Sequence, residues 1–223
     1  MGFAINMAAN AHENGFIIKR TRPDFEIEDV NGDDWNNANE VTIDRYWNGS
    51  IAEGGRQFQA RSLWSETAFY IRFEANQTEP LVISDHPIID SKTMNLWERD
   101  VCEIFIAPDR KEPRKYFEFE AAPTGEWIDL AIDLTSGERV TDWEYHSAME
   151  TAARIDEQIV TMAMKMPWDA FGAKPNGGDI WLGNIFRCVG KGPDRGYLTW
   201  QPTFTAEPSF HEPEKFGEFR FEN

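Results

Sequence analysis

Four carboxylates lie in or beside apolar runs that read as strands. Asp100 and Glu103 flank and enter residues 101–106, and Glu118 and Glu120 lie within 116–122. A carboxylate there must be hydrogen-bonded, paired or turned to a wet cleft, because losing its hydration uncompensated is costly. Asp100 and Glu103 read either as hydrogen-bond acceptors for a ligand or as buried partners of Arg99 or Arg187. Side-chain alternation sets Val101, Glu103 and Phe105 on one face, with Cys102, Ile104 and Ile106 on the other. In the next strand Phe117, Phe119 and Ala121 form the apolar face, and Tyr116, Glu118 and Glu120 the polar one. That polar face reads as solvated. Trp97 sits on the acidic turn just before, Asn184 and Arg187 lie on a long apolar strand, and Phe210 is in a loop. A polar residue on a core strand can serve a ligand or tie down a loop.

The elements that must position these residues are short. Strands are expected at 16–20, 24–29, 41–44, 57–64, 69–74, 101–106, 116–122, 127–132, 148–155, 158–166, 180–189, 197–200 and 216–221. Residues 65–67 have hairpin length, and Pro123-Thr124-Gly125-Glu126 is a turn. Residues 76–96 read as a long surface loop, of the kind that is usually functional or mobile. Asp33 or Asp34 could cap a helical turn holding Trp35. Asp29, Asn31 and Asp33 are also spaced like the start of a calcium loop, but no closing Glu follows. Pro167 to Gly172 reads as one helical turn, with proline early and glycine at the exit. Many short strands without a sustained 3.6-residue period indicate an all-β chain. The expected fold is an antiparallel β-sandwich with jelly-roll-like or immunoglobulin-like layers and one or two short helical turns. Residues 1–15 read as a loose tail and 16–223 as one domain.

The 223 residues carry a net charge of −17, which disfavours nucleic acid and anionic lipid as partners and suits neutral or cationic ligands. Cys102 and Cys188 both lie in apparent strands: two small buried hydrophobes, or a bridge if those strands are neighbours. No stretch is long and apolar enough for a membrane span, and residues 1–14 do not read as a signal peptide. The four histidines show no metal spacing.

Together, several stretches resemble the family 9 carbohydrate-binding modules. They are Asn31-Gly32-Asp33-Asp34-Trp35, Leu63-Trp64 with Phe69-Tyr70-Ile71, Trp97-Glu98-Arg99-Asp100 with Glu103-Ile104-Phe105-Ile106, and Met166-Pro167-Trp168. Asn184-Ile185-Phe186-Arg187 and Trp200 with residues 210–217 complete the series. The resemblance implies a β-sandwich, often with structural calcium, that grips the end of a sugar chain between two aromatic rings. It implies clamp rings at Trp97 and Phe210 and acidic partners at Asp100 and Glu103. Glu118 falls where sugar-binding members carry an arginine, a reversal of charge in the slot. The further implications are a saccharide partner, a role in polysaccharide breakdown or uptake, a glycoside hydrolase as neighbour and an extracellular or periplasmic setting.

Other classes compete. Hydrolysis would need two carboxyls flanking one bond, and carboxylates at i and i+2 of one strand sit side by side instead. Related sandwiches bind haem, but Met94 and His86 alone are a thin basis for ligation. An interaction domain whose sugar site is lost, its acidic face meeting a basic partner, is the remaining alternative.

Overall fold

Several strands carry apolar residues on both faces, and such strands need cover on both sides. The computed structural model, which describes residues 15–223, supplies it by curling one sheet upon itself. Among the described residues it has thirteen strands: β1 (Phe16–Arg20), β2 (Asn39–Ile43), β3 (Phe58–Trp64), β4 (Ala68–Asn76), β5 (Val101–Ala107), β6 (Lys115–Ala121), β7 (Trp127–Asp133), β8 (Val140–Asp142), β9 (Glu150–Ile155), β10 (Ile159–Pro167), β11 (Ile180–Val189), β12 (Gly196–Thr199) and β13 (Gly217–Glu222). The expected tail falls on residues 1–14, outside the described residues, apart from Gly15.

Strand order is β8-β7-β6-β5-β11-β13-β1-β3-β4-β10-β9, with β12 added to β11 and β2 to β3. The fold is all-β and sandwich-like, as expected. It is mixed rather than wholly antiparallel, because β1 pairs parallel with both β13 and β3. The halves on either side of β1 share one core. Cys102, Ile104, Ile106, Phe119 and Ile185 come from one half, and Phe69, Ile71, Phe73, Met162 and Met164 from the other.

Each outer face carries a smaller apolar cluster. On β3, β4 and β10, Leu63, Tyr70 and Ala163 are covered by Phe25, Ile27, Val30 and Trp35. Phe25 stacks on Tyr70 at 4.4 Å and meets Trp35 edge-on. That covering task explains why 24–29 is not a strand: its apolar residues cap a sheet face instead of extending the sheet. Trp35 does sit in a 3-10 turn, Asp33–Asn37, but Gly32 occupies the cap position and no side chain caps it. Trp168–Phe171 is the second expected turn, closed by Gly172 at φ 60°. Three further single turns are present, at Leu96–Glu98, Gly192–Asp194 and Pro213–Lys215. The short strand β8 was not anticipated from sequence.

The two cysteines occupy neighbouring strands and are free. Register pairs Cys102 with Arg187 and Cys188 with Val101, so the thiols lie on opposite faces of the sheet and cannot bridge.

Arg187 is buried on the inner face. It donates to the carbonyls of Arg56 (2.6 Å) and Asn76 (2.8 Å) and to the Gln77 side chain. Asp100, equally buried, accepts from the amides of Gly190 (2.7 Å) and Val82 (3.1 Å) and from Gln77 Nε2 (3.2 Å). Together they fasten the start of the 77–95 loop to the ends of β5 and β11. Arg187→Met is expected to cost about 3 kcal/mol or more, because it strands several buried acceptors. Urea unfolding monitored by tryptophan fluorescence would check it, and a midpoint equal to wild type would remove Arg187 from this role.

Candidate functional site

The remaining outer face, on β5, β6, β7 and β11, is only partly covered. Phe105, Tyr116, Leu130, Ile132, Phe186 and Phe210 form its apolar cluster. Above it opens a cavity of about 550 Å³, roofed by residues of the 97–98, 139–143, 191–197 and 208–211 segments. Its volume lies within the range usual for small-molecule sites, roughly 300–1,000 Å³.

Glu103 and Glu118 line its floor, and Glu120 joins them in one cluster. Register places Glu103 opposite Glu120 and Phe105 opposite Glu118, so all three side chains leave the same face, and one oxygen of each lies within 4.8 Å of the others. Glu118 is 4% exposed and Glu120 fully buried, which corrects the expectation of a solvated strand face. The cause is the cover: four segments, two of which include the short strands β8 and β12, close over a face that the strand pattern alone leaves open. Cys188 donates to Glu103 Oε1 at 3.3 Å. Glu118 Oε2 and both oxygens of Glu120 have no hydrogen-bond partner.

Burial pushes the Glu103 carboxyl up to about 8, with the charge of Glu118 adding to the rise. Burial likewise lifts Glu118 to about 7, against the opposing effects of Glu120 and Arg139. Glu120 is held well above the carboxylate range by burial and then by its two neighbours. Like charges this close cannot all ionise cheaply, so the cluster retains protons at neutral pH.

The rim is aromatic. Trp97 is half-buried on the Leu96–Glu98 turn, fixed by buried Leu96 and by Asn95 in the left-handed region at φ 59°. Arg195 holds that turn, donating to the carbonyls of Trp97 (2.6 Å), Arg99 (2.7 Å), Glu98 (3.0 Å) and Gly190 (2.6 Å). Trp143 lies beside Trp97, with ring centres 6.3 Å apart and planes 42° apart, and is 43% exposed. Phe210 is placed differently. It stacks flat on Phe186 at 4.1 Å and 14°, so one of its faces is already covered. His211 accepts from Arg139 at Nε2 and bonds the Tyr116 hydroxyl through Nδ1 at 2.6 Å. Burial and then Arg139 hold its imidazole down at about 3, so it is neutral.

Of the residues singled out in the sequence, Trp97, Glu103, Glu118 and Phe210 line this cavity, and Asp100, Asn184 and Arg187 do not. Asp100 and Arg187 belong to the inner fastening. Asn184 shares the face of Phe105 but spends its amide on Gln201, donating to the carbonyl (2.8 Å) and accepting from the N–H (2.9 Å). Arg99, considered as a partner of Asp100 or Glu103, pairs with Glu126 at 2.7 Å. Asp29, Asn31 and Asp33 do not fit an ion. Asn31 Oδ1 accepts from Arg72 at 2.8 Å, so a guanidinium already holds that corner, and Asp33 accepts from Asn36. Sequence reasoning missed Trp143, Tyr197, Arg139 and Arg195 as cavity residues. Arg139, Trp143 and Arg195 are brought in from outside the strands and Tyr197 by the short strand β12, and no periodicity marks them as cavity residues.

Residues 28–223 match the family model described as carbohydrate family 9 binding domain-like. The chain belongs to that family. Membership makes this family 9 domain a non-catalytic carbohydrate-binding module. Endo-1,4-beta-xylanase A of Thermotoga neapolitana is 24% identical over 198 residues, covering 88% of this chain, and the Thermotoga maritima enzyme is 24% identical over 201. The chain spans 16% of the length of each of these curated relatives. Among solved structures, a candidate carbohydrate-binding protein from Bacteroides uniformis superposes with a TM-score of 0.73 at 19% identity, over 93% of this chain and all of the other. A family 9 module of Caldicellulosiruptor kristjanssonii in complex with cellotriose gives 0.65 at 14% identity, covering 93% of each chain. At these identities the structures establish the shared fold.

The glutamate cluster has a measurable consequence. A carboxyl whose folded pKa is raised stabilises the fold at low pH, and that stability is lost as pH rises through the folded value. His211, with its depressed value, acts only below about 6.5, the ordinary histidine value. Between pH 6.5 and 8 the ligand-free domain is therefore expected to lose thermal stability as pH rises, and Glu120→Gln to flatten that slope. A melting midpoint unchanged across this window would show that the cluster ionises freely.

Proposed function

We propose that this domain binds a saccharide in the cavity above β5 and β6, with Trp97 and Trp143 stacking on the sugar and Glu103 and Glu118 meeting its polar groups. The observation that carries this is the pairing of a half-open aromatic rim with carboxylates on one floor. Sugar rings offer C–H faces to aromatic rings and hydroxyls to carboxylates. The Caldicellulosiruptor neighbours, in complex with cellotriose and with glucose, make β-1,4-linked glucose oligomers the first ligands to try. Three glutamates gathered at one point of the floor do not flank a bond as hydrolysis requires.

Isothermal titration with cellobiose and cellotriose would test the reading. Trp97→Ala and Trp143→Ala are each expected to weaken binding about tenfold or more, while melting stays within a few degrees because both rings are partly exposed. A loss of stability of about 3–5 kcal/mol would instead assign Trp97 to the core.

The wider setting follows from the same reading. The domain would serve polysaccharide breakdown or uptake, in an extracellular or periplasmic setting beside a glycoside hydrolase. Support comes from the xylanases, of which a matching segment forms a small part. The acidic surface also suits stabilising calcium outside the Asp29–Asp33 loop. Millimolar calcium is then expected to raise the melting midpoint and chelation to lower it, and identical curves would remove the ion.

A further inference from the structure

We propose that the glutamate floor is a subsite for a single positive charge and that its occupant is the ammonium group of an amino sugar. This rests on the saccharide reading of the cavity and names the class of sugar.

Three observations carry it. First, the floor lacks a cation of its own: among the described residues none of Glu103, Glu118 and Glu120 is in an ion pair. The cavity's two guanidiniums are committed elsewhere, Arg195 to four backbone carbonyls and Arg139 to His211. Second, Glu118 lines the cavity almost wholly buried, with Oε2 unpartnered, and Glu120 stands behind it with both oxygens unpartnered. A buried acceptor without a donor is costly, and an ammonium brings three donors and a charge. Third, the charges balance for a monocation. Fully ionised, the lining residues Glu98, Glu103 and Glu118 balance Arg139, Lys191 and Arg195, and the buried Glu120 clustered with Glu103 and Glu118 adds one negative charge. A divalent ion would overshoot. The aromatic rim also suits a sugar that carries the amine, and offers nothing to a bare ion.

Binding must then release protons. The titratable and charged groups that face the floor are Cys188 from β11, Tyr116 from β6, and Arg139, Lys191, Arg195, His211 and Glu98 from the roof. Cys188 is held well above its ordinary value by burial, and His211 is neutral, so both stay uncharged near neutrality. Burial lifts Glu103 and Glu118 into that range.

Titration of the full chain with chitosan disaccharide, its di-N-acetylated form and cellobiose at pH 5.5 and 7 tests the inference. The amino disaccharide is expected to bind at least about tenfold more tightly than the other two at pH 7, the measure of one good charged contact. Its affinity should fall by about tenfold per pH unit toward 5.5, as one proton competes for the site. Glu118→Gln should erase both the charge preference and its pH dependence, with the melting curve confirming that the variant is folded. Equal affinity for charged and neutral disaccharides would overturn the inference and leave the saccharide reading standing. Absence of binding by all three would overturn both. Manganese or calcium chloride binding alone, lost in Glu118→Gln, would make the floor a metal site and overturn the proposal.

Discussion

The two halves of this sheet meet along one strand. β1 runs parallel to β13 on one side and to β3 on the other, and an isolated antiparallel bridge between Tyr46 and Leu198 of β12 adds a second link between the halves. The register is short, with two partner positions on the β3 side, Lys19 with Leu63 and Arg20 with Trp64. Packing on the strand secures it: Phe16 meets Trp200 and Phe219 edge-on, and Ile18 is fully buried. This seam helps to hold the inner faces against each other around their shared core, and the outward faces follow from how they close.

Curling a sheet hides one face of each half and leaves the other to be dealt with separately. On the β3-β4-β10 side the segment holding Phe25 to Trp35 covers it with rings and leaves little room. On the β5-β6-β7-β11 side the cover is made of turns held by single anchors, Arg195 under Trp97 and Phe210 on Phe186, so a cavity remains. The difference between a filled face and a binding face is thus the geometry of the loops above two similar sheets.

Polar groups divide along the same line. On the inner face Arg187 and Asp100 are buried with their hydrogen bonds made, largely to backbone, and they act as fasteners. On the outer face the three glutamates are as deeply buried and largely unmade. The fold accommodates them by letting them keep protons rather than by pairing them, a solution that leaves a ligand something to displace. The solved relatives share the fold at 14–19% identity, a range in which strand pairing persists while the side chains on a floor such as this are free to differ.

Much of the strand layout was legible in the sequence, because alternation and turn residues are local signals. β11 was readable to its ends, and the turn from Pro167 to Gly172 was readable from its own residues. The pairing of Glu103 with the face of Phe105 also followed from alternation alone. The sequence did not reveal which faces would be covered. Glu118 and Glu120 read as solvent-facing because a roof assembled from residues 97–98, 139–143, 191–197 and 208–211 leaves no periodic trace in the strand beneath it. Arg187 and Asn184 read equally as ligand groups and as loop ties, because residue type does not reveal which carbonyl a side chain will reach. Residue order determined the strands, the core faces and the family. The curl about β1 and the loops above β5 and β6 decided which charges were stripped of water, because desolvation depends on everything packed around a group and not on its neighbours in the chain.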